Sequence, residues 1–165
     1  MNTHPQSSDL QSALWANKAR RLREDAIPAL SRILGFTISL DDFTSFTEYR
    51  SLSYSTRGPG FTEERFPKAE RAGVIDSLTS IADLGEPSQV LLSFCRSQDI
   101  GCLRVPVWPS PEGVADLVDW DQDDIYGFDL PSRELLFHVE LCDDYLDAEN
   151  RAGRQRLYIV NKRRS

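Results

Sequence analysis

The stretch Ile125-Tyr126-Gly127-Phe128-Asp129, Leu130-Pro131-Ser132-Arg133, Glu134-Leu135-Leu136-Phe137-His138-Val139-Glu140-Leu141 decides the fold class. Two apolar-rich runs flank a short segment of turn-forming residues, which is the pattern of a β-hairpin. In the second run Leu135, Phe137, Val139 and Leu141 alternate with Leu136, His138 and Glu140, as in a strand with one face buried. That period predicts one apolar face and leaves His138 on the surface. Upstream, Val90 to Cys95 and Cys102 to Trp108 are two more compact apolar runs, read as a second hairpin. A short helix from Gln89 is the rival for the first of them. Pro106 places the later strand at an edge or a bulge. Arg156 to Val160 reads as a closing strand that belongs to the fold.

The N-terminal half has a different period. From about Ser8, the residues Trp15, Ala19, Leu22, Ala26, Leu30 and Ile33 recur at three- and four-residue steps, with Lys18, Arg20, Arg21 and Arg23 between them. This is an amphipathic helix with a solvated basic face. Pro28 disfavours helical geometry at Ile27 and predicts a kink or two short helices. Gly35 is a plausible stop. Ser39 before Asp41 and Asp42 marks a short helix carrying Phe43 and Phe46, and Tyr49 to Tyr54 could be a strand. Arg57-Gly58-Pro59-Gly60 is turn chemistry. A helix is expected from about Pro67 to Leu84, with Val74, Leu78 and Ile81 inward and Gly85 at its end. Ser110-Pro111-Glu112 starts another, ending near Asp119, with serine as cap and proline in the first turn. Helices first and antiparallel strands later give an α+β fold, with N-terminal helices packed on a mostly antiparallel sheet. A single domain over 1–165 is expected, with 1–7 as a flexible tail.

Charge is unevenly distributed. Glu112 to Glu149 holds thirteen Asp/Glu and one Arg, while residues 150–165 hold six cations and no acid. The whole chain carries a formal net charge of −7. A block of like charge repels itself, and is kept for solubility or to meet a basic partner. The acidic balance argues against direct nucleic-acid binding. No apolar run approaches the roughly 20 residues that span a bilayer, so no membrane role is expected. The first residues lack the apolar core of a signal peptide. Cys95, Cys102 and Cys142 have no CxxC spacing and read as buried thiols in a reducing cytoplasm.

No familiar catalytic motif is present. Asp119-Trp120-Asp121-Gln122-Asp123-Asp124 alternates carboxylates like a calcium loop. The sixth and twelfth positions counted from Asp119 hold Asp124 and Leu130 instead of Gly and Glu. No tight metal site, no cofactor and no catalytic residue are therefore expected. Trp120, Tyr126, Phe128 and Tyr145 stand among the carboxylates, and Tyr and Trp are common anchors of protein interfaces. Phe128 reads as a core residue. The expected partner-binding set is Asp119, Trp120, Asp121, Asp123, Asp124, Tyr126, Asp143, Asp144 and Tyr145, with Asp121, Asp123 and Asp124 all exposed.

The run Trp120-Asp121-Gln122-Asp123-Asp124-Ile125-Tyr126-Gly127-Phe128, followed by a strand and by Asp143-Asp144-Tyr145, resembles the C-terminal part of small cytoplasmic immunity proteins of bacterial toxin–immunity systems, contact-dependent inhibition included. Gln122 stands where those proteins usually have Gly. The resemblance implies a non-enzymatic cytoplasmic protein that neutralises a cognate, basic toxin domain. The alternatives are a metal-dependent hydrolase using the carboxylates of 119–124 and a scaffold or adaptor domain.

Overall fold

A computed structural model describes residues 6–45, 58–94, 97–143 and 156–165. The expectations for Phe46, for 49–54, for Cys95, and for Asp144 and Tyr145 fall outside them.

The chain is α+β. Helix α1 (Gln6–Leu34) comes first, then a single 3-10 turn at Leu40–Asp42 and the two-residue strand β1 (Phe43–Thr44). Strand β2 (Phe61–Pro67) precedes a helical stretch whose centre is α2 (Arg71–Leu78), with 3-10 turns at Lys68–Glu70 and Thr79–Leu84. The elements that follow are β3 (Val90–Phe94), the short α3 (Ser97–Ile100), β4 (Cys102–Val105) and α4 (Pro111–Asp121). The chain then forms β5 (Asp124–Asp129), β6 (Glu134–Asp143) and β7 (Arg156–Arg163). The seven strands make one sheet in the order β1-β4-β3-β5-β6-β7-β2. Every pairing in it is antiparallel.

Local chemistry explains most of these boundaries. Gly35 takes φ 77° and donates its N–H to Ser31 O at 3.0 Å, ending α1 in the left-handed conformation that glycine adopts without cost. The Ser39 N–H and hydroxyl both donate to Asp42 Oδ2, at 2.7 and 3.0 Å, closing the following 3-10 turn. Ser110 Oγ accepts from the Gly113 N–H at 3.0 Å, capping α4 with Pro111 in its first turn.

Several expectations need correction. α1 is one continuous helix that begins at Gln6 and carries Pro28 inside it, rather than two short helices. Its inward stripe begins only at Leu22. Trp15 is 64% exposed, with Lys18 Nζ 5.1 Å above its ring, because the first half of α1 extends past the core. The polar run Phe61–Pro67 is a strand, held at the sheet edge by β7. β4 ends before Pro106 and lies one place in from the edge, since β1 pairs with it. The helix from Gln89 does not form. Val90 to Phe94 pairs with both β4 and β5, and all five residues are buried.

β7 sits between β6 and β2 and carries fully buried Tyr158 and Val160, so the last strand is integral to the sheet. The helices cover one face. Ala26 and Leu30 of α1, Val74 and Leu78 of α2, and Val114, Leu117 and Val118 of α4 meet Leu92, Phe94, Ile125, Phe137, Val139, Leu141 and Val160 there. Each Val, Leu, Ile or Phe among them taken from water contributes roughly 1.5–3 kcal/mol. The opposite face has a smaller apolar cluster of Leu91, Cys102, Phe128 and Leu135.

The hairpin β5–β6 is irregular at one point. Phe128 pairs with Leu135 but Gly127 pairs with Phe137, so Leu136 is an extra residue, a β-bulge. Leu135 and Phe137 therefore lie on opposite faces, against the expected alternation. The Phe137 ring lies over Gly127 so closely that a Cβ there would overlap it.

Candidate functional site: a carboxylate and imidazole cluster on the second face of the sheet

The described members of the expected partner-binding set do not form one surface, because the sheet runs between them. On the helix side, Asp119 accepts from Tyr158 Oη at 2.5 Å and lies 3.5 Å from Arg71 Nε. Trp120 packs edge-on against Phe94, with ring centroids 6.4 Å apart, and lines a pocket of about 250 Å³ with Leu22, Asp25, Ala26, Asp99 and Ile100. Asp121 is 5% exposed, correcting the expectation that it faces solvent. Asp143 pairs with Arg156 at 3.8 Å. Arg156 also donates to the Gln122 side chain at 3.0 Å and to Leu141 O at 3.3 Å, joining the end of α4 to β6.

Asp124 and Tyr126 belong to the other face, with residues that sequence reasoning set aside. In the hairpin register Asp124 faces Glu140 and Tyr126 faces His138. The Tyr126 and His138 rings are stacked, with centroids 4.3 Å apart and planes within 4°. Tyr126 Oη donates to Asp124 Oδ2 at 3.3 Å. His138 Nε2 is 4.0 Å from Asp124 Oδ2. One donor atom each from Asp124, His138 and Glu140 lies within 4.8 Å of the others.

His138 is only 6% exposed, and the expectation of a surface histidine is corrected. β5 and β7 flank it in the sheet and the Tyr126 ring stacks on it, so a residue read as lying on the surface is enclosed. Neither ring nitrogen has a hydrogen-bond partner among the described residues, and the same holds for the buried Oδ1 of Asn161, its neighbour on β7. Buried polar atoms are normally paired, so three orphans around one register position are a feature to explain.

Electrostatics set the protonation of this cluster. Burial lowers the His138 pKa to about 4, against the opposing pull of Asp123, so the ring is neutral near pH 7. Its approach to Asp124 is therefore no ion pair. Burial raises the Asp124 pKa to about 7, helped by a hydrogen bond and charge from Asp123 and by the charge of Glu140. Cys142, on the same face one step beyond Glu140, has its thiol pKa raised by burial and by Glu140.

Elsewhere in the acidic block, four carboxylates have cationic partners. Asp116 and Asp119 meet Arg71, Glu134 meets Arg163 at 3.3 Å, and Asp143 meets Arg156. Asp123, Asp124 and Glu140 are joined to no Lys or Arg among the described residues. They form an acidic patch beside an aromatic ring, with Asp124 only partly ionised near pH 7.

Compared with known protein families, curated proteins and solved structures, the chain matches none. No helix among the described residues is long and apolar enough to cross a membrane.

Proposed function

We propose that the chain is a non-enzymatic cytoplasmic binding protein that neutralises a cognate, basic toxin domain of bacterial origin. The observation that supports this reading is the split within the acidic block. Of its ten described carboxylates, Asp116, Asp119, Glu134 and Asp143 are spent on internal Arg partners, whereas Asp123, Asp124 and Glu140 are left as an acidic, Tyr126-lined patch. A patch of that kind attracts the Lys and Arg of a nucleic-acid-cleaving partner, speeds encounter and occludes the partner's own site. The interface is thereby narrowed to one face of the sheet. Trp120 and Asp121 act in packing instead.

The test is a pull-down with the product of the adjacent gene, followed by association kinetics at two salt concentrations. Reversing Asp123→Lys and Asp124→Lys together should abolish binding, since a close, desolvated charge pair is worth on the order of 1.5–7 kcal/mol. Association should slow steeply with salt, as steering acts over a Debye length of about 8–10 Å. A partner that binds the double reversal as tightly as the parent removes the basis of the reading. The second reading, a metal-dependent hydrolase, is favoured by the nearness of His138 to two carboxylates.

A further inference from the structure

We propose that Asp124, His138 and Glu140 form a binding site for a divalent transition-metal ion, zinc foremost. This goes beyond the toxin reading and does not rest on it: ion binding is a property of the chain alone, and an ion held here would take the charge of Asp124 and Glu140 from the patch that reading uses.

Three independent features converge. The first is geometry. Two carboxylates and an imidazole present one donor each within 4.8 Å of one another. Ligands about 2.0–2.2 Å from a tetrahedral zinc ion stand roughly 3.3–3.6 Å apart, so the side chains must rotate inward by about an ångström to close the set. The second is the state of the histidine. Its ring is more than nine-tenths buried, both nitrogens lack partners among the described residues, and Nε2 already points toward Asp124 at 4.0 Å. An ion accepted by Nε2 would leave Nδ1–H as a donor. The unpartnered buried Oδ1 of Asn161, across the β6–β7 pair, is an acceptor in the neighbouring register position. Metal-bound histidines ordinarily give their second N–H to such an oxygen. One ion thus accounts for all three orphan atoms. The third is charge. Asp124 and Glu140 are joined to no Lys or Arg among the described residues, and a dication supplies the missing compensation.

The donor set selects the ion class. Imidazole nitrogen favours zinc and its neighbours over calcium and magnesium, which prefer oxygen alone. Three protein ligands leave at least one position for water or a partner's group, as in open rather than closed zinc sites. The failed calcium-loop spacing in 119–124 does not bear on this site. Its ligands come from two strands rather than one loop, and only Asp124 is shared.

The experiment uses the untagged full chain, stripped with a chelator and dialysed. Zinc, manganese, magnesium and calcium are titrated by calorimetry, and cobalt(II) is added as a spectroscopic probe. Zinc should bind one ion per chain with a dissociation constant of about 1 µM or tighter, raise the melting temperature, and exceed magnesium and calcium by at least about a hundredfold. Cobalt(II) should show visible absorption bands. Glu140→Gln, a half-buried and nearly isosteric change, should keep the metal-free melting temperature and weaken zinc at least about tenfold. His138→Asn should abolish the cobalt bands. The inference is overturned if no ion binds more tightly than about 100 µM, if calcium or magnesium rivals zinc, or if Glu140→Gln binds zinc as the parent does. The last result would also assign any zinc to other groups.

Discussion

The two faces of the sheet are built to different standards. The helix-covered face carries most of the apolar core at the inward positions of β3, β5, β6 and β7, and several of its polar side chains are tied off, although Asp129 Oδ1 is buried there without a hydrogen-bond partner among the described residues. Tyr158 Oη reaches Asp119, and Lys162 reaches Ser77 O and Glu64. The opposite face mixes Leu91, Phe128 and Leu135 with Asp124, His138, Glu140 and Asn161. There, buried polar atoms stay unpaired among the described residues, at a cost of about 1–3 kcal/mol for each unsatisfied group. One face is built mainly of apolar packing, and the other sets titratable side chains among apolar ones.

The sharpest way to break this contrast is to cut into the packed face. Phe137→Ala removes a fully buried ring that touches Gly127 and stands 6.0 Å from Trp108. It should cost about 3–5 kcal/mol in urea denaturation. A cost below about 1 kcal/mol would show that the helix face is not the main source of stability.

The opposite sign is expected one residue on. His138→Leu replaces two unpartnered buried nitrogens with an apolar group of similar size. In chelator-treated protein it should leave stability unchanged or raise it by about 1 kcal/mol. Destabilisation by about 2 kcal/mol or more would mean that the imidazole holds the sheet together rather than serving a ligand.

The smallest effect belongs to Glu64, on the packed side of the edge strand β2. A hydrogen bond from Ser77 Oγ, then the charge of Lys162 3.4 Å away, hold its carboxyl below its ordinary value of 4.5. A carboxyl with a lowered folded pKa adds stability that is fully present above the unfolded value and fades as pH falls through the folded one. Melting curves of Glu64→Gln should therefore lie slightly below those of the parent at pH 6–7 and merge with them in acid. Curves separated equally at pH 7 and pH 3 would rule out the ionised carboxylate as the source.

Much of the fold was legible because it depends on local chemistry. Gly35, Ser110-Pro111 and the turn after Asp129 act through neighbouring backbone, and the compact apolar run at 90–94 and the strand pattern of 156–160 are short-range. β2 was not legible, since Thr62, Glu63, Glu64 and Arg65 have no apolar alternation and are ordered by β7. The candidate site was lost for a related reason. A regular hairpin closing through Asp129 and Glu134 would set His138 beside Ile125 and Val139 beside Asp124. The extra residue Leu136 shifts the ladder by one and so brings His138 and Glu140 to Tyr126 and Asp124. Nothing in the residue types announces that shift. The acidic count, conversely, overstated the available surface, because Arg71, Arg156 and Arg163 arrive from distant sequence to occupy Asp116, Asp119, Asp143 and Glu134.

The contact of the Phe137 ring with Gly127 has a consequence for inheritance. The two positions behave as one unit of variation. Any side chain at 127 meets the ring, and a smaller residue at 137 alone opens a void over the glycine. Each single step is penalised, whereas a paired exchange, such as alanine at 127 with leucine at 137, restores the fill. In related chains these two sites should change together or not at all, and a lineage that crosses between the two solutions must first have gathered stability elsewhere.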